Sequence, residues 1–234
     1  MPYGYFGYGY LNYYLFMLPG FLLVMWASFR VHSTFRRYSG VTNARGLTGA
    51  DAARAVLASY GITNVAVERV SGNLTDHYDP RSQTIRLSDS VYDSRSVAAV
   101  GVAAHEAGHA AQYATGYAMI RLRMAIIPIC NIGSQLSLPL IILGSILNSF
   151  GLIAAGIALF SLAVLFQLVT LPVEFNASRR ALAVIRERDL LYGDEYQGAK
   201  KTLTAAAMTY VAALFQSLLS LLYYLIRLNG SRRR

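Results

Sequence analysis

Apolar residues in this chain are gathered into four long runs instead of being spread at the spacing of an amphipathic surface. A hydrocarbon layer about 30 Å thick takes roughly 20 helical residues to cross, and residues 11–29, 124–150, 152–173 and 203–226 meet or approach that length. The first run is uncharged and follows a Gly/Tyr-rich start at residues 2–10, whose tyrosines suit a membrane interface. No basic residue precedes it and no small-residue cleavage site follows, so it reads as a retained anchor. Asn131, Gln135, Pro128 and Pro139 in the second run predict a kinked helix with one face against protein. Asn148, Ser149 and Gly151 predict a tight turn into the cleaner third run, making a helical hairpin. The fourth run carries Gln216 near its middle and the pair Tyr223-Tyr224 near its end.

Residues 30–120 have a different texture, with short mixed segments. Thr48 as N-cap and Gly61 as C-cap bound a helix over residues 50–60. Residues 65–70 and 84–87 predict short strands, separated by the turn signal Asp79-Pro80-Arg81-Ser82. A further helix opens near Ser94 or Ser96 and runs toward Tyr113. The chain thus divides into an anchor (1–29), a water-facing part (30–123), a membrane hairpin (124–173), a second water-facing segment (174–202), and an apolar helix with a basic tail (203–234). No internal repeat is evident.

Composition sharpens this picture. The chain is 55% apolar and only 14% charged, against about a quarter charged in a soluble domain, which excludes disorder and favours a membrane protein. Cys130 is the single cysteine, so there is no intramolecular disulfide and no cysteine-based zinc ribbon; among apolar neighbours it reads as packing. The net charge of +9 comes from 21 Lys+Arg against 12 Asp+Glu. Those basic residues flank the apolar runs and no recognition module accompanies them, which argues against nucleic acid. By the positive-inside rule the N-terminus lies outside, and residues 30–123 and 174–202 are cytoplasmic. A fourth complete span would export Arg227, Arg232, Arg233 and Arg234, so three or four spans both remain open.

The candidate chemistry sits in His105-Glu106-Ala107-Gly108-His109. Histidines four apart share a helical face and can reach one ion, while the glutamate between them can contact a water on that ion. Zinc suits imidazole and carboxylate ligands, and Glu106 can take a proton from the attacking water. A catalytic zinc needs a third protein ligand. Residues 113–119 contain no histidine, which leaves His32, His77 and Glu174. A hairpin that leaves the membrane face after the HExxH helix and returns at Glu174 would bring that carboxylate back. Alternatively, a glutamate opening a helix after Pro172 is favoured by the helix dipole alone. For oxyanion stabilisation the candidate donors are His77, Tyr78 and the pair Arg179-Arg180.

Several segments together resemble the bacterial neutral zinc metallopeptidases of the YugP-like type, a group of membrane proteases. They are the N-terminal anchor, Asp76-His77-Tyr78-Asp79-Pro80 before Thr84-Ile85-Arg86-Leu87-Ser88, His105-Glu106-Ala107-Gly108-His109-Ala110-Ala111-Gln112, and Leu171-Pro172-Val173-Glu174-Phe175-Asn176-Ala177-Ser178. A membrane hairpin between HExxH and a downstream glutamate is also similar to the HtpX-like and CAAX prenyl proteases. The resemblance implies an α-helical integral membrane protein with a small cytoplasmic α+β zinc-peptidase part of gluzincin-like type. It implies Glu174 as third ligand beside His105 and His109, one zinc ion per chain, and a peptide held as an added strand along the edge near residues 84–87. The HtpX-like enzymes carry an aspartate four residues after the glutamate ligand; here Ser178 stands there, a neutral partner for an imidazole N–H.

The function expected is that of a zinc endopeptidase in the bacterial cell membrane, acting on protein or peptide segments near the cytoplasmic face. The polar residues and the two arginines, Arg121 and Arg123, in the stretch from His109 to Arg123 place its zinc nearer the membrane surface than the bilayer centre. The competing reading is a non-proteolytic zinc-binding scaffold or transport component, to which Glu106 would be unnecessary.

Overall fold

The computed structural model describes residues 3–231, with side chains from 13 to 229. The side chains of the tyrosine-rich start (residues 2–10) and the basic tail (232–234) lie outside the described residues. Nine elements follow in order: α1 (Tyr3–Ser39), α2 (Gly49–Ser59), β1 (Ala66–Val70), β2 (His77–Asp79), β3 (Thr84–Ser88), α3 (Val97–Ala114), α4 (Ala118–Ile146), α5 (Phe150–Glu187) and α6 (Gly193–Ser231). Helices α1, α4, α5 and α6 are each long and apolar enough to cross a membrane. The chain forms two compact units, and each of these four helices contributes to both.

One unit comprises Met1–Ala27, Leu122–Leu171 and Thr209–Arg234, and its sequence contains no Asp or Glu at all. In it α4 and α5 form the expected hairpin, with Asn148 in the left-handed conformation at the turn. Small residues let the two backbones approach: a Cβ added at Gly156 would stand 2.8 Å from the Ser137 carbonyl oxygen, and one at Gly133 would stand 3.1 Å from that of Leu159. Close packing of this kind replaces the hydrophobic driving force that lipid does not supply. The Cys130 thiol faces the Leu162 carbonyl at 3.3 Å, in keeping with a packing role. Gln167 donates to Ser217 at 2.9 Å, tying α5 to α6. Outward, Phe21, Ile129, Ile132, Leu168 and Ile226 are exposed, a surface that lipid satisfies and water does not.

The other unit comprises Ser28–Arg121 and Pro172–Met208. Thr48 caps α2: its hydroxyl accepts from the Asp51 N–H at 3.1 Å, and the Asp51 carboxylate accepts from the Thr48 N–H at 3.0 Å. Gly61, at φ +66°, closes that helix as expected. Ser96 caps α3, accepting from the Ala99 N–H at 3.2 Å. Ile85, Leu87, Val91, Val97, Val100, Val56 and Ile185 form the centre of the core.

The sheet has the order β1-β3-β2, with β1 parallel and β2 antiparallel to β3. This corrects the expected peptide-binding edge. Residues 84–87 lie in the central strand, paired with β1 along its length and with β2 at Thr84, Ile85 and Arg86, and among the described residues the outer edges of the sheet belong to β1 and β2. The third strand, β2, carries His77 and Tyr78 and was not expected. A second correction concerns Pro172, which lies inside α5 and not at a helix start. Glu174 is therefore a mid-helix residue, and the dipole of a helix start does not account for it.

Candidate metal centre

Two helices build the site. On α3, His105, Glu106 and His109 follow one another within slightly more than a turn; on α5, Glu174, Asn176 and Ser178 do the same. Gly108 is where the two backbones meet: a Cβ there would stand 2.5 Å from the Ala177 carbonyl oxygen. Alanines at 104, 107, 111, 177 and 181 are all fully buried around this crossing. Small side chains therefore permit a close approach, and the approach sets residues 174 and 178 against residues 105 and 109.

Glu174 Oε2 lies 3.4 Å from His105 Nε2 and 3.6 Å from His109 Nε2. The imidazole rings stand edge to face, 4.7 Å between centroids. Among the described residues these three side chains form a group able to hold a metal ion, with ligand atoms all within 4.8 Å of one another. For a tetrahedral zinc ion with bonds of about 2.0–2.1 Å, neighbouring ligand atoms are about 3.3–3.4 Å apart, so the two imidazoles and the carboxylate suit the ion in chemistry, and the two carboxylate–imidazole separations are close to its spacing. His32 and His77 do not join the group. His32 lies against the Ser28 carbonyl at 2.7 Å and His77 against that of Thr75 at 2.8 Å.

The electrostatics favour a cation. Burial opposes a proton on His109, but the Glu174 carboxylate and the charge of Glu106 favour one, and the balance holds this imidazole above its ordinary value. Glu106 is itself buried on α3. Near it Asp76, just before β2, accepts from the Ser88 backbone N–H at 2.8 Å. Burial, with the charge of Glu106 as a smaller cause, raises the Asp76 carboxyl despite that bond.

Each histidine has a partner on its other nitrogen. Ser178 Oγ lies 3.0 Å from His105 Nδ1, so the serine takes the position the resemblance implied. Gln112 Oε1 lies 3.1 Å from His109 Nδ1, while Gln112 Nε2 donates to the Val173 carbonyl at 2.7 Å and to Asn176 Oδ1 at 3.0 Å. Arg180 Nε donates to the same Asn176 oxygen at 2.8 Å. Gln112, Asn176 and Arg180 in this supporting role were not expected. The available signal was a glutamine three residues after His109, on the metal face of a helix otherwise lined by alanine.

The remaining candidates are placed as follows. Tyr78 is half-buried on β2, its ring 5.5 Å from that of Tyr113, which lies one turn beyond His109 on the same helix; burial raises its phenol, keeping it a donor. His77 is exposed. Arg179 is exposed and lines, with Ser178, Phe175, Arg186 and Tyr196, a groove of about 400 Å³. Arg180 packs its guanidinium over the rings of Tyr60 and Tyr117 and so supports the site from outside.

Comparison with known proteins points the same way. The family described as "Putative neutral zinc metallopeptidase" matches residues 13–229. A relative named "Putative membrane protease YugP", from Bacillus subtilis (strain 168), is 48% identical over 209 residues, covering 89% of this chain and 93% of the relative. No solved structure matches.

Proposed function

The chain belongs to the neutral zinc metallopeptidase family, and from that premise we propose that it is a membrane-bound zinc endopeptidase, with His105, His109 and Glu174 as metal ligands and Glu106 as general base. The observation that carries this reading is the separation of 3.4 and 3.6 Å between the Glu174 oxygen and the two imidazole nitrogens, the spacing of a tetrahedral ion's ligands. A zinc ion held there would supply a Lewis acid to polarise the scissile carbonyl and acidify a water molecule. Glu106 takes a proton from the attacking water as the water oxygen bonds to the carbonyl carbon. It then returns the proton to the amine nitrogen as the C–N bond breaks. Of the expected oxyanion donors, Tyr78 has the best support, being a protonated phenol on the strand beside α3. His77 faces the Thr75 carbonyl, and Arg180 is engaged on Asn176. Arg179, near Ser178 in the groove, is the second choice.

The substrate on this reading is an extended peptide that adds to the outer side of β2, the sheet edge nearest α3. The membrane-embedded part corresponds to the unit without acidic residues. The basic residues that flank it support an orientation with residues 30–123 and 174–202 on the cytoplasmic side of a bacterial cell membrane. Substrates are then membrane or membrane-proximal protein segments.

Glu106→Gln tests the reaction. In detergent micelles with a quenched-fluorescence peptide library, the variant is expected to bind zinc as the wild type does and to lose cleavage by about a hundredfold or more, the scale of a removed general base. Equal cleavage by wild type and variant would overturn Glu106 as the general base, and no cleavage by zinc-loaded wild type would overturn the proposal in favour of a scaffold that keeps zinc for structure.

A further inference from the structure

We propose that Gln112 is a positioning residue that holds His109 with its proton on Nδ1 and its lone pair on Nε2, the nitrogen facing Glu174. The inference rests on the zinc-site reading and assigns a role that the ligand set leaves open. A glutamine amide is two-faced: its oxygen accepts and its nitrogen donates, so rotation by half a turn reverses what it offers a neighbour. Beside a lone imidazole either orientation works, because a neutral ring has one donor and one acceptor nitrogen. The polarity at His109 is therefore decided by what holds the far side of Gln112.

Two groups of fixed polarity do so. The Val173 carbonyl can only accept, so the Gln112 atom 2.7 Å from it is the nitrogen. The Arg180 Nε–H can only donate, so the Asn176 atom 2.8 Å from it is the oxygen, and that oxygen receives the second Gln112 N–H at 3.0 Å. Both amide protons are thus committed to α5, and the Gln112 oxygen is left 3.1 Å from His109 Nδ1. An oxygen there requires an N–H on Nδ1. Reversal would set two carbonyl oxygens in contact at a glutamine that is 0% exposed, where no water can intervene. Ser178 differs, since its hydroxyl rotates to accept from or donate to His105. One histidine is thus locked and its partner is adaptable.

The test uses the full chain in detergent, with zinc as the only ligand and Gln112→Met as a substitution that keeps the buried volume. Two readouts are taken: zinc affinity by competition with a chromophoric chelator, and nitrogen NMR of protein labelled only in histidine, four residues in all. In zinc-loaded wild type, His109 is expected to coordinate through Nε2 and to show an exchange-protected Nδ1 proton. In Gln112→Met that protection is expected to disappear and affinity to fall about 10–100-fold, the range for loss of a ligand's hydrogen-bond partner. Coordination through Nδ1 in wild type overturns the proposal with no variant needed. So does a folded Gln112→Met whose affinity lies within about twofold of wild type. A wild type that binds no zinc overturns the metal-site reading instead.

Discussion

Asp79 illustrates how single residues shape the part of the fold beside the candidate site. Its carboxylate accepts from the Ser82 hydroxyl at 2.7 Å, the Arg81 N–H at 2.9 Å and Arg86 at 3.2 Å, pinning the turn from β2 into β3. The Ser82 bond first, and the Arg81 bond next, hold its carboxyl down at about 2. A carboxyl lowered in the folded state stabilises above its unfolded pKa of about 4, and that contribution is lost as pH falls toward the folded value. Asp79→Asn is therefore expected to lower the thermal midpoint near neutral pH, with the difference from wild type closing between about pH 4 and about pH 2. A pH-independent difference in melting curves would assign Asp79 no such role. This turn was legible from Asp-Pro-Arg-Ser, because each of those residues has a local reason to bend the chain. The amide network behind His109 was legible only as a glutamine on an alanine-lined face, because that residue's partners 61 and 64 positions away are not marked by anything near it in sequence.

Helix packing decides whether the proposed ligands meet. Gly108 admits the backbone of α5 at Ala177, so Gly108→Ala has to push the two helices apart. Overpacking of this kind costs about 1–3 kcal/mol, and here it also separates Glu174 from both histidines. Expected is a lowered thermal midpoint together with zinc binding weakened at least tenfold, read by melting curves and chelator competition. Unchanged affinity in the variant would mean that α5 adjusts without moving its ligands. At this scale the caps Thr48 and Ser96, the hairpin and the HExxH helix were readable, because each rests on spacing or a capping hydroxyl within a few residues. Two features were not. Three residues at 77–79 are too short to show a period, so β2 leaves no signal in the sequence, and the edge position that the resemblance implied for residues 84–87 does not hold. Pro172 inside a helix removes a hydrogen bond, and the long apolar stretch around it sustains α5 without a break.

Over the whole molecule, the acid-free unit and the unit that carries the candidate site are each assembled from separated stretches of one chain. The division into apolar and charged stretches was visible from the sequence. The return of Glu174 beside α3 was expected from hairpin geometry and resemblance, and the structure places it there. On the proposed reading, a ligand set drawn from two helices stabilises the folded state when filled, by about 2.7 kcal/mol at a hundredfold excess over Kd. Removing metal with a chelator is thus expected to lower the melting temperature, and zinc is expected to restore it in wild type but not in Glu174→Gln. A zinc response retained by Glu174→Gln would exclude that carboxylate as a ligand.

Zinc content per chain, measured by elemental mass spectrometry on detergent-purified wild type beside Glu174→Ala, with His109→Ala as control, decides whether the proposed ligands hold the ion. One zinc per wild-type chain and markedly less in both variants is the predicted result. A wild type without zinc after purification free of chelator and with zinc resupplied, or equal zinc in all three proteins, would contradict it.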